Sequence, residues 1–218
     1  MEDKGAMTYY AQYGEENVID SFFKKKIGGV CVDVGAADGL RYSNSRYLIE
    51  SLGWSALLVE PHPTYYSRLL ELYHDNKNIS LMNCAVYSSP GSMPFHLYGH
   101  DEHAQVSTLS ENFKERVCLI HGDKYENQPI DVNVVTLETV LDLAIKNKDN
   151  IDFLSIDCEG VDMDVLISNN WEKHRPSLVC VEHSMPKQEL DTFMSLVDYS
   201  LFYRTAGNSF FTANKENK

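Results

Sequence analysis

The chain has 218 residues, of which 43% are hydrophobic and 23% charged, a composition typical of a soluble globular domain. Asp and Glu outnumber Lys and Arg by 32 to 19, which gives a formal net charge of −13 with neutral histidines. Because such a surface repels phosphate backbones and anionic lipid headgroups, we expect neither nucleic acid nor a membrane surface as a partner.

Cysteine usage and segment composition indicate a reduced compartment. The five cysteines are widely spaced and include no C-x-x-C pair, which argues against a disulfide framework and a zinc site. No secretory signal pattern and no run of about eighteen apolar residues is present, so we expect a cytoplasmic protein without membrane insertion.

Residues 1–7 are expected to be a linker or an expression remnant and residues 215–218 a polar tail, which leaves a single domain over residues 8–214. The length also fits one piece of a larger multi-domain enzyme.

Short apolar runs alternate with longer amphipathic runs, which is typical of βαβ units on a parallel sheet. The predicted elements, in chain order, are a strand at 30–34, a helix at 44–53, a strand at 56–60, a helix at 64–75 with Thr64 as its N-cap, strands at 79–86, 93–98 and 131–136, a helix at 137–147, a strand at 153–157, a helix at 161–169, a strand at 177–183, a helix at 187–197, and strands at 199–204 and 209–213. Residues 99–124 show weak periodicity and are predicted to be a functional or mobile loop. The last two strands enclose Gly207 and predict an antiparallel hairpin. The pattern predicts an open α/β sandwich of seven or eight strands, in which ligands bind at the carboxyl ends of the strands.

The first candidate site follows the first predicted strand. The segment VCVDVGAADG places Asp33 and Gly35 at a turn of small residues, where a ligand can approach the backbone closely. The segment lacks the G-x-G-x-x-G dinucleotide fingerprint, and an acid here suits a ligand that carries a positive charge better than it suits a pyrophosphate. A plain strand-to-helix turn is the alternative for this segment alone.

A second acid, Glu60, ends the next predicted strand, about twenty residues beyond the glycine turn. A carboxylate at this position can accept hydrogen bonds from both hydroxyls of a ribose, so the two features together favour an adenosyl site. Taken alone, Glu60 is more simply explained as a helix cap or a solvated acid. The small, half-polar segment 83–86 ends the third predicted strand and suits contact with an adenine edge, although ordinary strand sequence looks similar.

Two further acids, Asp157 and Glu159, follow an apolar strand and precede Gly160. An extended chain would direct both side chains to the same side, next to the glycine turn at the topological switch point. Such a pair can hold an amine, act as a general base or bind a metal. Capping of the following helix is the structural alternative.

Together these segments resemble the FkbM-type S-adenosylmethionine-dependent methyltransferases over nearly the whole of residues 9–213. The resemblance depends on the segments AQYGEE (11–16), CVDVGAADG (31–39), SNS (43–45), GWSALLVEPHP (53–63), STL (107–109), LSIDCEG (154–160) and VL (165–166). The chain departs from the family pattern at Ala36, Ala37 and Asp38, where the family commonly has alanine followed by asparagine. The added charge of Asp38 is compatible with a sulfonium ligand.

The resemblance implies a class I methyltransferase fold, a Rossmann-like, mostly parallel seven-stranded sheet with helices on both faces and the antiparallel hairpin at its C-terminal end. It also implies S-adenosylmethionine as cofactor and O-methylation of a hydroxyl, most often on a sugar or glycan, with a polyketide or another small-molecule hydroxyl as the alternative. The implied cofactor contacts are Gln12 and Gly14 at the methionine end, Asp33, Gly35, Asp38 and Asn44 along the amino-acid and sulfonium portion, Glu60 with Pro61 at the ribose, Cys84 and Ala85 at the adenine, and Asp157 beside the methyl group.

Asp157 and Glu159 are the first candidates for the base that takes the proton of the acceptor hydroxyl. His183 is the second candidate for this base. Glu182 and His183 end the strand at 177–183 and are expected to face the same opening. A structural role is the alternative for such a lone histidine. A divalent metal held by these four side chains is a less favoured variant, so no metal ligand is assigned.

Two other classes of function compete with methyl transfer. A non-catalytic binding module would retain the cofactor pocket, but the intact acids count against it. An NAD-dependent oxidoreductase would use a similar sheet, but the missing fingerprint glycine counts against that function. Aromatic residues near the expected opening can stack on a sugar ring, which favours a neutral carbohydrate or glycan acceptor; these residues are Tyr13, Tyr42, Phe95 and Tyr98.

Overall fold

The computed structural model describes residues 10–99, 104–126, 128–144 and 150–214. The segments expected to be a linker (1–7) and a polar tail (215–218) lie outside these residues. Within the described ranges, no helix is long and apolar enough to cross a lipid bilayer.

The strands and helices alternate over most of the chain. The strands are β1 (Val30–Val34), β2 (Ser55–Val59), β3 (Ile79–Met82), β4 (Ala85–Val86), β5 (Gly91–Phe95), β6 (Ile130–Val135), β7 (Phe153–Ile156), β8 (Leu178–Glu182), β9 (Tyr199–Arg204) and β10 (Asn208–Ala213). The α-helices are α1 (Glu15–Phe23), α2 (Arg46–Leu52), α3 (Pro63–Tyr73), α4 (Glu111–His121), α5 (Leu137–Ala144), α6 (Asp162–Ile167) and α7 (Lys187–Leu196).

A seven-stranded sheet has the strand order β3–β2–β1–β7–β8–β10–β9. The strands from β3 to β8 in this order pair in parallel, and β10 pairs antiparallel with both β8 and β9. The predicted class I methyltransferase fold, with a mostly parallel seven-stranded sheet and a closing antiparallel hairpin, is confirmed.

Helices cover both faces of this sheet. Successive residues of each strand point to opposite sides, so the apolar strands present side chains on both faces that must be buried. Cys31 and Leu58 pack with the apolar residues of α1, α2 and α3 on one face. Val32 and Val34 pack with those of α5, α6 and α7 on the other face. All five residues of β1 are buried, as expected for a central parallel strand that is covered on both sides.

The predicted strand at 79–86 is wrong as a single element. The chain leaves the large sheet after Met82, and β4 joins a second sheet with the order β4–β6–β5. In that sheet Ala85 pairs with Val134, while β5 and β6 are antiparallel. The predicted strands at 93–98 and 131–136 therefore belong to a small separate layer. Alternation of apolar residues predicts a strand but does not say which sheet it joins.

Two other local predictions are corrected. The segment 99–124 contains α4, which Ser110 caps by accepting a hydrogen bond from the Phe113 N–H at 3.2 Å. The N-cap of α3 is His62 rather than Thr64, since His62 Nδ1 accepts a hydrogen bond from the Thr64 N–H at 3.2 Å. Pro63 occupies the first turn of α3, where its fixed φ suits a helix and its missing N–H costs nothing.

The strand order reverses between β1 and β7. The connections that leave β1 and β7 diverge to opposite sides of the sheet, and a crevice opens between them at the carboxyl ends of the strands. This topology determines where a ligand can enter.

Candidate functional site

A cavity of about 340 Å³ lies at the carboxyl ends of β1, β2, β7 and β8. Because these strands are parallel, the residues that end them meet at the same edge of the sheet. The cavity brings together most of the site residues expected from the sequence, namely Gln12, Asp33, Gly35, Asn44, Glu60, Pro61, Cys84, Ala85, Asp157 and Glu159.

Asp33 lies within β1 and is buried. Its Oδ2 accepts a hydrogen bond from Ser45 Oγ at 2.5 Å, and the neighbouring Asn44 donates from Nδ2 to Ser155 Oγ at 3.2 Å. Burial raises the pKa of Asp33, and hydrogen bonds from Ser45 and Ser155 oppose the rise. A cationic ligand group would therefore stabilise the ionised form of this carboxyl.

Gly35 follows β1 with a φ of 86°, a conformation that L side chains rarely adopt. A Cβ at this position would lie 1.8 Å from the backbone oxygen of Asp157. The sequence predicts that glycine lets a ligand approach the backbone here. The structure adds a second reason: the turns after β1 and β7 touch, and no side chain fits between them.

Glu60 follows β2 and is held by backbone amides. Its Oε2 accepts from the Ala37 N–H at 2.8 Å, and its Oε1 accepts from the His62 N–H at 2.7 Å. Burial raises the pKa of Glu60 to about 7, although the two amides oppose the rise. Each carboxylate oxygen can accept a further hydrogen bond, so the side chain retains capacity for ligand hydroxyls.

The end of the cavity beyond Glu60 is more apolar. Cys84 and Ala85 are buried there, and Asn83 fastens this segment by donating from Nδ2 to the Glu60 backbone oxygen at 2.8 Å. The ring of His62 contacts Tyr65 at a centroid distance of 4.9 Å, and both side chains line the cavity. The sequence does not mark these two rings as part of the site, because single rings in an amphipathic segment look like ordinary core.

Three of the carboxylates that line the cavity form a cluster. One oxygen each from Asp157, Glu159 and Glu182 lies within 4.8 Å of the others. Burial raises the pKa of all three groups, and the negative charge of neighbouring acids adds to the rise. Such a cluster favours proton sharing, a cationic ligand or a cation.

Asp162 holds the turn that carries this cluster. It is completely buried, and its carboxylate accepts hydrogen bonds from the Cys158 N–H at 2.8 Å, from the Gly160 N–H at 3.3 Å and from the Ser184 hydroxyl. The turn gives Glu159 a left-handed φ of 52°. Both Asp157 and Glu159 therefore face the cavity through a bent backbone rather than through the extended one that the sequence suggested.

His183 does not share the opening with Glu182, so that expectation is wrong. Its Nε2 lies 2.8 Å from Ser209 Oγ and its Nδ1 lies 3.3 Å from the Ala206 backbone oxygen, whereas Glu182 lines the cavity. Neighbouring residues at a strand end point in opposite directions, which separates the two side chains. The metal variant considered from the sequence is left with the three clustered carboxylates.

Two other expected cofactor contacts have structural partners instead and do not line the cavity. Gly14 is the N-cap of α1 in a left-handed conformation. Asp38 accepts hydrogen bonds at Oδ1 from the N–H groups of Leu40 and Arg41, at 2.9 and 3.1 Å, and its Oδ2 lies 3.8 Å from Arg68. Both residues shape turns beside the cavity.

The segment before α4 covers part of the cavity. Gln105, Ser107 and Leu109 line it, and Thr108 donates from Oγ1 to the Glu159 backbone oxygen at 2.7 Å. The histidines of this region carry no shared site in the described residues: His96 pairs with Glu111, His121 ends α4, and His100 and His103 lie outside the described ranges.

Comparison with known proteins supports the same fold. The sequence model described as the methyltransferase FkbM domain matches residues 33–207. Methyltransferase FkbM from Methylobacillus flagellatus KT is similar with a TM-score of 0.52 and 15% identity, over 85% of this chain and 43% of that chain. A putative S-adenosyl-L-methionine-dependent methyltransferase from Methanococcus maripaludis is similar with a TM-score of 0.45 and 9% identity, over 94% of this chain and 84% of that chain.

No curated protein matches the sequence significantly. The chain spans less than half the length of the Methylobacillus flagellatus protein. The family match covers most of the chain, begins at Asp33 and includes the acids that follow β2 and β7 and the acid that ends β8. On this match, the chain belongs to the FkbM methyltransferase domain family.

Proposed function

We propose that the chain is an S-adenosylmethionine-dependent O-methyltransferase whose acceptor is a hydroxyl of a neutral sugar or glycan. The observation that carries the proposal is that Asp33, Glu60 and Asp157, from three neighbouring parallel strands, line one cavity. Membership of the FkbM family supports methyl transfer as the class of reaction.

The donor and acceptor groups of the cavity fit S-adenosylmethionine. Asp33 would hold a positively charged part of the molecule, because a buried carboxylate gains most from a nearby cation. Glu60 would accept the ribose hydroxyls with the lone pairs that Ala37 and His62 leave unused. The apolar end around Cys84 would take the adenine. When bound, S-adenosylmethionine supplies an electrophilic methyl group on a positively charged sulfur.

The carboxylates after β7 would serve the acceptor. Asp157 or Glu159 would accept the hydroxyl proton while the acceptor oxygen bonds to the methyl carbon and the carbon–sulfur bond breaks. Their raised pKa values make them stronger bases than ordinary carboxylates, which suits proton removal from a weakly acidic alcohol. The cavity wall would also align the two reactants, an effect worth about 7–11 kcal/mol in well-oriented reactions.

The charge and the aromatic rings of the cavity support a neutral, ring-shaped acceptor. Five acids and one arginine, Arg41, are among the described residues that line the cavity, and this excess of acids would repel an anionic acceptor. Tyr13 and Tyr42 line the cavity while 46% and 56% exposed, so their rings are available to a sugar. Of the other rings expected to stack, Phe95 is buried in the wall, and Tyr98 packs against Tyr125 at 4.7 Å.

Calorimetric titration tests the cofactor part of this proposal. We expect S-adenosylhomocysteine to bind and NAD to give no signal. Glu60→Ala should weaken binding by about 1–3 kcal/mol, the range for lost hydrogen bonds to a charged group. Asp131→Asn, which neutralises an exposed acid on β6, is the matched control and should bind normally. Binding of NAD alone would refute the proposal.

Mass spectrometry tests the transfer itself. The chain is incubated with isotopically labelled S-adenosylmethionine and a panel of neutral glycosides and glycans, and a mass increase of one labelled methyl group is expected. The double variant Asp157→Asn/Glu159→Gln, which removes both candidate bases, should abolish the increase while its melting curve stays cooperative. Tight cofactor binding without transfer to any hydroxyl compound would identify a non-catalytic binding module instead.

A further inference from the structure

The segment of residues 10–14, called here the N-terminal strap, runs along the mouth of the cavity. Gln12 and Tyr13 from this strap line the cavity. The match to the FkbM domain begins only at Asp33, so it assigns nothing to the strap.

Glu15 connects the strap to the other end of the described chain. Its carboxylate is completely buried. Oε2 accepts a hydrogen bond from the Tyr13 N–H at 2.8 Å, while Oε1 accepts from Thr205 Oγ1 at 2.8 Å and from Asn208 Nδ2 at 2.9 Å. One side chain therefore bonds both the strap and the turn between β9 and β10.

The turn between β9 and β10 is fixed by hydrogen bonds within it and to the end of β8. The Thr205 N–H donates to the Asn208 backbone oxygen at 2.9 Å, and the Asn208 N–H donates to Thr205 Oγ1 at 3.0 Å. The His183 N–H donates to the Gly207 backbone oxygen at 2.8 Å, which ties the turn to the end of β8. A carboxylate fixed to this turn is thus fixed to the central sheet.

The ring of Tyr13 lies directly on the same turn. A Cβ at Gly207 would come within 2.2 Å of Tyr13 Cε2, so the ring occupies the space that a larger residue would fill. Tyr13 is 46% exposed and lines the cavity, so part of its surface remains accessible. The ring is therefore supported by the turn along its Cδ2–Cε2 edge and is accessible over part of its surface.

The remaining contacts hold the beginning of the strap. Glu16 is also completely buried, and its Oε1 accepts from the N–H groups of Tyr10 and Ala11 at 2.5 and 2.6 Å. The guanidinium of Arg46 lies 4.6 Å from the centre of the Tyr10 ring. The strap is therefore anchored at both of its ends.

We propose that Glu15 is a positioning residue that clamps the N-terminal strap onto the β9–β10 turn, and that the clamped Tyr13 ring is a specificity-determining wall for a sugar acceptor. The inference rests on the proposed methyl transfer to sugar hydroxyls and adds which residues select the ring. A planar ring that is supported along one edge and nearly half exposed beside the cavity suits the flat C–H face of a pyranose. Open-chain alcohols of similar polarity offer no such face.

Amide hydrogen exchange in the full chain tests the clamp without an acceptor. Glu15→Ala removes the acceptor of the Tyr13 N–H, so its exchange should accelerate at least about tenfold, as for a group released by local opening. Glu15→Gln retains an oxygen for this N–H and should restore most of the protection. Unchanged exchange of the Tyr13 amide in Glu15→Ala, with a cooperative melting curve, would overturn the clamp.

Steady-state kinetics with methyl glucoside and methyl galactoside test the wall, with glycerol and mannitol as open-chain acceptors. Tyr13→Ala and Glu15→Ala should each raise KM for the glycosides about tenfold, the loss expected for one aromatic contact, and leave KM for the open-chain alcohols unchanged. Tyr13→Phe should behave as the wild type. Tyr203→Ala, which removes an exposed tyrosine of β9 away from the cavity, is the control.

The outcomes distinguish a failure of the Tyr13 wall from a failure of the proposed methyl transfer. An unchanged glycoside KM in Tyr13→Ala would overturn the wall even where transfer occurs. A wild-type chain that binds S-adenosylhomocysteine but methylates none of these alcohols would refute both the proposed reaction and the wall. The exchange measurement would still decide the clamp by itself.

Discussion

Replacement of Gly35 by alanine should damage the junction between the turns after β1 and β7. The added Cβ would lie 1.8 Å from the Asp157 backbone oxygen, far inside van der Waals contact, and the φ of 86° adds strain for any L residue. Left-handed strain costs about 1–2 kcal/mol, and forced overpacking adds about 1–3 kcal/mol. We therefore expect a loss of about 3 kcal/mol in the free energy of unfolding, or about 6–12 °C in melting temperature for a chain of this size.

Gly53→Ala is the matched control for this prediction. Gly53 has a similar φ of 64°, but its Cβ would meet nothing within 4 Å. This variant should lose only about 1 kcal/mol or less, since alanine also restricts the unfolded chain. The two variants are compared by thermal and urea unfolding monitored by circular dichroism, and by calorimetry with S-adenosylhomocysteine. Equal losses of stability in the two variants would show that the close approach of the two turns is misjudged.

Three further predictions concern charge and the cover of the cavity. Burial raises the pKa of Glu60 from 4.5 to about 7, so the unfolded chain releases this proton at a lower pH than the folded chain does. The free energy of unfolding of the unliganded chain should therefore fall by about 3 kcal/mol as the pH rises from about 4.5 to about 7. A melting temperature that rises with pH over this range would contradict this assignment. Asp33→Asn should weaken binding of S-adenosylmethionine more than binding of S-adenosylhomocysteine, which lacks the sulfonium charge, and equal losses in calorimetry would mean that Asp33 does not face the sulfonium. Thr108→Val removes the hydrogen bond to the Glu159 backbone oxygen and should lower the free energy of urea unfolding by about 1–2 kcal/mol, against no measurable change for Ser67→Ala on the exposed side of α3.

A metal requirement is tested in the same assays. If the three clustered carboxylates act without a cation, methyl transfer should be unchanged after dialysis against EDTA. Loss of transfer in EDTA and its recovery with Mg²⁺ would instead assign the cluster to a bound cation.

The fold and the position of the site could be predicted from the sequence, because both depend on strong local patterns. Dense β-branched runs such as residues 30–34 mark buried parallel strands, and acids at or just after the carboxyl ends of such strands meet at one edge of the sheet. Asp33, Glu60 and Asp157 lie in one cavity for this reason.

The predictions from the sequence are wrong where the local structure is determined by tertiary contacts. The apolar run at 79–86 looks continuous, but its last two residues pair with β6, which lies more than forty residues later. The orientation of His183 depends on partners in the final hairpin, and the left-handed backbone of Glu159 depends on the buried Asp162. Periodicity carries no information about such distant partners.

The clamp at Glu15 has a consequence for how the chain folds. It joins residue 15 to residues 205 and 208, and β10 enters the sheet between β8 and β9. Contacts between positions so far apart in the chain form late in folding, because the entropy of closing a long loop is lost before the contacts can contribute any stabilisation. During synthesis on the ribosome, the cavity and its N-terminal strap would therefore lack their support until the β9–β10 hairpin has been made and has entered the sheet.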